Sequence, residues 1–132
     1  MEENYSAKAL ERFRNPRNYD ELQEPDGYAR ITGPCGDTME FWVQVDEGIV
    51  SAASFTTTGC GPSRACGSMA TELAEGRPVA EAKEISQQDI LNALGGMPEA
   101  HRHCALLASN TLRAALENYQ ASASVKQMKT EA

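Results

Sequence analysis

The chain has 132 residues, a formal net charge of −7 and a pI near 4.8. This length suits one domain, and the acidic balance argues against a sequence-independent nucleic-acid binder, which needs a basic face. No apolar run approaches the length of a membrane span, and the N-terminal sequence MEENYSAKALERF lacks the character of a signal or transit peptide. We therefore expect a cytoplasmic protein that has neither nucleic acid nor a membrane as its partner.

The first half of the chain predicts one short helix and three strands. Residues 6–14 place Ala7, Leu10 and Phe13 on one helical face. Strands are predicted at 28–32, 38–45 and 49–58, and the second alternates apolar with polar residues as a half-buried strand does. The short connection Asp46-Glu47-Gly48 predicts that the second and third strands form an antiparallel hairpin.

The second half of the chain is helical in pattern. One helix begins near Pro62 and ends before Gly76, and further helical segments are predicted at 78–82 and 86–94. The last helix carries the longest apolar stripe, which consists of Cys104, Leu107, Ala108, Thr111, Leu112, Ala115, Leu116 and Tyr119. Residues 121–132 show no apolar period, so we predict a single domain over 1–120 followed by a disordered tail.

Four cysteines stand at positions 35, 60, 66 and 104, and no two have the C-x-x-C spacing of a redox site or a zinc knuckle. Stable disulfides are rare in the cytosol, so the thiols are expected to be free. Cys35 lies in a Gly-Pro-Cys-Gly-Asp turn before the second strand, and Cys60 follows the third strand. A hairpin brings these two positions to the same end of the sheet, and Cys104 begins the last helix.

This placement of the thiols favours a site for a soft metal. Helix N-termini stabilise a thiolate by roughly 0.3–1 kcal/mol each, and two of them are expected near the cysteines. Other interpretations stay open: Cys60 and Cys104 are equally compatible with small core residues, Asp37 with a turn cap and His103 with a surface histidine. Cys66 shares a helix face with apolar residues, so we predict that it packs in the core.

Five motifs carry a resemblance to a known family. They are F-R-N-P-R-N at 13–18, G-P-C-G-D at 33–37, T-G-C-G at 58–61, S-M-A-T-E at 68–72 and H-C-A-L-L-A at 103–108. Together, over roughly residues 5–120, the chain resembles the IscU/NifU-type scaffold proteins on which iron–sulfur clusters are assembled. The resemblance implies an α+β fold with a small three-stranded antiparallel sheet, helices packed on one side and the metal site at one end.

The resemblance also implies a set of ligands. Cys35, Cys60 and Cys104 would bind a labile [2Fe–2S] cluster, with Asp37 or His103 as the fourth ligand. Cys104 would accept persulfide sulfur, Fe²⁺ would enter at the thiolates and Asp37, and the carboxylate would keep the cluster labile. Zn²⁺ is a further expected occupant of the same ligands in purified protein.

The partners implied are proteins, and the chain itself is not expected to be an enzyme. An IscS/NifS-type cysteine desulfurase would supply sulfur, and apo iron–sulfur proteins would receive the cluster. Many members also carry a Leu-Pro-Pro-Val-Lys segment for a DnaK/HscA-type chaperone. This chain has Met97-Pro98-Glu99-Ala100-His101 there, and the departure weakens the expectation of that partner.

Two alternatives to the scaffold stay open. A zinc-dependent sulfurtransferase of the related SufU type holds zinc with three cysteines and an aspartate and accepts persulfide sulfur. Those relatives carry an insertion between the second and third cysteine motifs and lack the histidine before the last cysteine, whereas this chain has His103 and no insertion. A structural zinc domain is the weaker alternative, because such domains usually have C-x-x-C knuckles.

Overall fold

The computed structural model describes the backbone of residues 5–131 and the side chains of residues 5–123. The elements follow in the order α1 (Ala7–Arg14), β1 (Gly27–Thr32), β2 (Thr38–Asp46), β3 (Ile49–Thr57), α2 (Gly61–Ala74), α3 (Val79–Ala82), α4 (Gln87–Ala93) and α5 (Arg102–Glu131), with a 3₁₀ turn at Glu99–His101. The predicted helices and strands are confirmed, with most boundaries shifted by one or two residues.

The sheet is a meander of order β1-β2-β3 in which both pairs are antiparallel. The predicted hairpin of β2 and β3 turns at Glu47 and Gly48, whose φ angles are 50° and 80°. Two successive positive φ values make the mirror-image turn that matches the twist of paired strands. The hairpin is thereby confirmed, and it brings the start of β2 beside the end of β3.

One face of the sheet forms the core. Met39, Phe41 and Val43 of β2 and Phe55 of β3 are fully buried against α2 and α5. Gly67 lets α2 approach closely, because a Cβ there would lie only 2.8 Å from Cζ of Phe55. The opposite face carries polar and aromatic side chains and no helix among the described elements, so the predicted α+β fold with helices on one side is confirmed.

Helix α1 is fixed to α2 by an ion pair. The Arg12 guanidinium donates to both carboxylate oxygens of Glu72, at 2.9 Å from Nε and 2.7 Å from Nη2, and the Ser68 hydroxyl donates to the same carboxylate at 3.0 Å. Such a two-bond pairing fixes orientation as well as distance. It holds the N-terminal helix beside the helix that begins next to Cys60.

Helix α5 continues to Glu131, whereas the sequence predicts a disordered tail from Ala121. The segment contains no glycine or proline to stop a helix, and alanine, lysine, glutamine and methionine favour helical backbone even without an apolar face to bury. The side chains beyond residue 123 lie outside the described part of the structure, and the domain division at residue 120 stays a prediction.

Among the helices of residues 5–131, none combines the length and the apolar character needed to cross a membrane. The sequence prediction for Cys66 is confirmed, since this side chain is fully buried within the core cluster.

Candidate metal centre

The loop between β1 and β2 presents Cys35 to solvent. The Gly33 amide donates to the Asp37 carbonyl at 2.8 Å, and the Gly36 amide donates to the Gly33 carbonyl at 3.0 Å. Gly36 has a φ of 92°, which side-chain-bearing residues rarely adopt. The chain therefore turns tightly over Pro34-Cys35, and the thiol of Cys35 is exposed at the tip.

Cys60 lies at the same end of the sheet. The Thr58 amide donates to the Thr38 carbonyl at 3.0 Å, so the end of β3 is tied to the beginning of β2. Cys60 is the N-cap residue of α2, but its side chain makes no capping hydrogen bond and its thiol is exposed. The structure therefore brings the Cys35 loop and Cys60 to one edge, where the hairpin geometry predicts them.

Cys104 approaches this edge from α5. It lies in the first turn of the helix and is only 3% exposed, while the adjacent His103 is exposed. The His103 Nε2 atom lies 3.7 Å from the Cys104 sulfur. Cys35 and His103 also line a shared surface cavity of about 160 Å³, so the loop and the start of α5 face each other.

Ser63 connects the elements of the site, and the sequence analysis missed it. Its hydroxyl oxygen lies 3.4 Å from Asp37 Oδ2 and 3.5 Å from the Cys104 sulfur, and the residue is 1% exposed. A serine in the first turn of a helix commonly serves the helix terminus, so its position gave no reason to assign it to the site. The sequence feature that could have assigned Ser63 to the site is its position three residues after Cys60.

Gly59 leaves the space that these side chains occupy. A Cβ at this position would lie 2.8 Å from Asp37 Oδ2 and 2.7 Å from the Ser63 Cβ. Real Cβ atoms do not approach other atoms so closely. The glycine before Cys60 thus permits the close approach of Asp37 and Ser63.

Burial raises the pKa of the Cys104 thiol above its ordinary value. The Ser63 hydrogen bond lowers this pKa, whereas the nearby Cys35, Cys60 and Asp37 raise it further by their negative charge. This effect of burial opposes the stabilisation of a thiolate that the sequence predicts at a helix N-terminus, because loss of water around a buried sulfur disfavours its charged form. Cys35, Cys60 and Asp37 thus lie near enough to Cys104 for their charges to act on its pKa.

The proposed metal ligands lie at the same end of the sheet, but they do not surround a single point. Among the side chains of residues 5–123, no three histidine, cysteine, aspartate or glutamate residues are grouped so as to hold one metal ion. The donor types nevertheless fit iron or zinc, since thiolate sulfur, imidazole nitrogen and carboxylate oxygen are all ligands of these metals. Two of the thiols sit on exposed positions, where small movements change the distances between them.

Three thiols at one end of a three-stranded antiparallel sheet, with helices on a single face, define a class of small α+β proteins with a sulfur-rich site. The NifU-like N terminal domain model matches residues 4–126, and the chain belongs to this family. The resemblance predicted from the motifs is thereby confirmed.

Curated relatives agree with this assignment. The chain is 38% identical over 116 residues to the iron–sulfur cluster assembly scaffold protein IscU 1 of Archaeoglobus fulgidus, which covers 87% of this chain and 76% of the relative. It is 36% identical over 127 residues to IscU of Escherichia coli K12, and the match covers 92% of this chain and 98% of that relative. Identity to IscU of Azotobacter vinelandii is 39% over 121 residues, covering 88% and 94%.

Solved structures share the fold. A nitrogen-fixing NifU-like N-terminal protein from Brucella abortus superimposes with a TM-score of 0.70 at 19% identity, covering 90% of this chain and 96% of that one. A protein proposed as an iron–sulfur cluster assembly scaffold for the SUF system of Fervidobacterium islandicum AW-1 gives 0.69 at 19% identity, covering 88% and 98%.

Proposed function

We propose that this chain is a scaffold for iron–sulfur cluster assembly, which accepts sulfur from a cysteine desulfurase, binds iron and passes the finished cluster to apo-proteins. The cluster is cargo, and the scaffold itself is not an enzyme. The family and the scaffold relatives support this role. The observation that carries it is the position of the Ser63 hydroxyl between Asp37 and the buried Cys104 thiol, at the end of the sheet where Cys35 and Cys60 are exposed.

In this proposal Cys35, Cys60 and Cys104 bind the iron of a labile [2Fe–2S] cluster. Thiolates are the usual ligands of such clusters. The different burial of the three thiols supports a site that both builds and releases a cluster. The Cys104 thiol is buried in the core, whereas Cys35 and Cys60 lie on exposed segments. Zn²⁺ suits the same sulfur-rich donors and would occupy them when iron and sulfide are absent.

Asp37 and His103 are the two alternatives for the fourth ligand. Asp37 is held near Ser63, and the His103 ring lies beside the Cys104 sulfur. An oxygen or imidazole ligand holds iron less firmly than a thiolate, which would favour release of the cluster. Asp37 lies on the loop before β2, and His103 lies at the start of α5.

Cys104 remains our proposed acceptor of persulfide sulfur, but its burial makes delivery a two-stage event. Cys35 and Cys60 are the thiols that solvent reaches in this conformation. Sulfur would reach Cys104 once the groups that cover it are displaced. A DnaK/HscA-type chaperone is a weaker proposal, because Pro98 and the Glu99–His101 turn stand where many relatives carry the chaperone motif.

Anaerobic reconstitution tests the proposed function. The protein is supplied with ferrous iron, cysteine and a cysteine desulfurase, and the visible spectrum, iron and acid-labile sulfide are measured. We expect a sulfide-to-iron charge-transfer spectrum, equal iron and sulfide, and transfer to an apo-ferredoxin. A colourless protein that retains zinc and accelerates the desulfurase would instead establish the SufU-type sulfurtransferase.

Single alanine variants locate the ligands. We expect Cys35→Ala, Cys60→Ala and Cys104→Ala each to lose the stable cluster while remaining folded. Cys66→Ala is the matched control, because Cys66 is also a cysteine near the site but packs in the core. A full cluster yield in any of the first three variants would remove that residue from the site.

A further inference from the structure

A second cavity lies next to Cys60, on the side of the molecule where α1 meets α2. Its volume is about 300 Å³, at the lower end of the range for small-molecule sites. Three aromatic residues contribute to its lining, Tyr5, Phe13 and His101. The other lining residues are Cys60, Gly61, Pro62 and Arg64. The Phe13 and Tyr5 rings pack edge to face with centroids 4.7 Å apart.

Arg64 brings a positive charge that the described protein does not neutralise. Its Nε and Nη2 atoms both donate to the Phe13 carbonyl, each at 3.4 Å. A guanidinium carries five N–H donors, so three remain after these two bonds. Over the side chains of residues 5–123, no carboxylate pairs with Arg64, in contrast to Arg12, which binds Glu72. A chain with a net charge of −7 thus keeps a cation in a cavity beside an exposed thiol.

We propose that this cavity binds a low-molecular-mass sulfur compound that carries a carboxylate. The carboxylate would pair with the free donors of Arg64, the apolar part of the molecule would lie against the aromatic residues, and its sulfur would face Cys60. Arginine is suited to this task because its planar fork matches a carboxylate. The inference rests on the proposed function in one respect, since it names a substrate class for a thiol of the same site.

The chemistry expected in the cavity is thiol–disulfide exchange. The Cys60 thiolate attacks one sulfur of a compound R–S–S–R, a new S–S bond forms at Cys60, the old one breaks, and R–S⁻ leaves with the electron pair. With a persulfide R–S–SH of the same class, attack on the outer sulfur leaves Cys60–S–SH and releases R–S⁻. Neither reaction needs an added oxidant or reductant.

The test compares two disulfides of similar size on the intact chain. One is 3,3′-dithiodipropionate, a dianion, and the other is the neutral bis(2-hydroxyethyl) disulfide. Mixed-disulfide formation at each cysteine is followed by acid quench and peptide mass spectrometry. We expect the anionic-to-neutral rate ratio at Cys60 to be on the order of tenfold higher than at Cys35. Arg64 lines the cavity beside Cys60, whereas no lysine or arginine is among the described residues that line the cavity beside Cys35.

The variants separate Arg64 from general electrostatics. Arg64→Gln should bring the ratio at Cys60 down to that at Cys35. The matched control Arg77→Gln removes the same charge from the exposed loop beyond the far end of α2 and should leave the ratio high. Arg64→Lys retains the charge and should retain part of the preference, which keeps the test valid if the glutamine variant fails to fold.

The inference is overturned if wild-type Cys60 shows no greater anionic preference than Cys35, or if the preference survives in folded Arg64→Gln. Cluster assembly with a desulfurase is measured separately on the wild-type chain. If clusters assemble but Cys60 shows no preference for the anionic disulfide, the scaffold function is retained and the cavity proposal is overturned. Preference without assembly would support the cavity proposal and overturn the scaffold function.

Discussion

The Ser63 hydroxyl oxygen lies 3.5 Å from the Cys104 sulfur, which joins the first turn of α2 to the first turn of α5. The same oxygen lies 3.4 Å from Asp37 Oδ2 on the loop before β2. A hydroxyl has one proton to donate, so it can serve the sulfur or the carboxylate but not both at once. One small side chain therefore stands between two proposed ligands of different elements.

We predict that Ser63→Ala raises the pKa of Cys104 further. The Ser63 hydrogen bond lowers this pKa in the native protein, and its removal leaves burial and nearby negative charge to act alone. Thiolate absorbance near 240 nm, taken as the difference from Cys104→Ala, follows the titration in the apo-protein. Ser109→Ala is the control. Ser109 is buried like Ser63, but it lies on α5 and its hydroxyl donates to the Leu106 carbonyl. An unchanged or lower pKa in Ser63→Ala would contradict the prediction.

We predict that Asp37→Ala lengthens the lifetime of the cluster. If the carboxylate is the weak ligand, its loss slows release to an acceptor, and the decay of visible absorbance after addition of apo-ferredoxin measures this rate. Asp37→Asn keeps the shape of the side chain and removes its charge. An unchanged lifetime in both variants, together with a changed lifetime in His103→Ala, would transfer the role to the histidine.

Gly59→Ala should destabilise the domain by about 1–3 kcal/mol, the usual cost of forcing an extra carbon into a packed position. The new Cβ would meet Asp37 and Ser63 at distances that require the loop or α2 to shift. Thermal or urea unfolding measures the loss. In the matched variant Gly33→Ala the new Cβ would lie at an ordinary 3.5 Å from the Leu107 methyl carbons, and a change under about 0.5 kcal/mol is expected. Equal losses in the two variants would argue against the close approach at Gly59.

The ion pair between α1 and α2 should make stability depend on pH in the acid range. Burial alone would raise the pKa of Glu72, but hydrogen bonds from Arg12 and Ser68 outweigh it and hold the pKa below its usual range. A carboxyl whose pKa is lower in the folded state stabilises the protein above its unfolded pKa of about 4.3, and loses this effect as pH falls through the folded value.

Glu72→Gln is therefore expected to lower the melting temperature at pH 7 more than at pH 3, because pH 3 lies below the unfolded pKa and the wild-type carboxylate has lost part of its stabilising effect there. Melting curves at the two pH values give the comparison. Glu117→Gln serves as the control, since its contact with Lys83 is 4.0 Å long and its carboxylate is more than half exposed. A loss of equal size at both pH values would show that the charge of Glu72 is not what stabilises the two helices.

Much of the molecule follows from local patterns in the sequence. Alternation of apolar residues identifies β2, and a glycine in a short connection identifies the hairpin. Those two features already place Cys35 and Cys60 at one end of the sheet. The helical period around Cys66 predicts its burial, because a residue on the apolar face of an amphipathic helix meets the core. The motifs predict the family, since their order and spacing are specific when taken together.

The elements, the family and the end of the sheet at which the thiols gather thus follow from local sequence patterns. Tertiary packing sets the depth at which Cys104 is buried, the position of Ser63 between Cys104 and Asp37, and the cavity that Arg64 and Cys60 share. These features depend on how α2 and α5 pack on the sheet and on each other. Distances between residues 26 to 41 positions apart arise from that packing, and no local pattern in the chain encodes them.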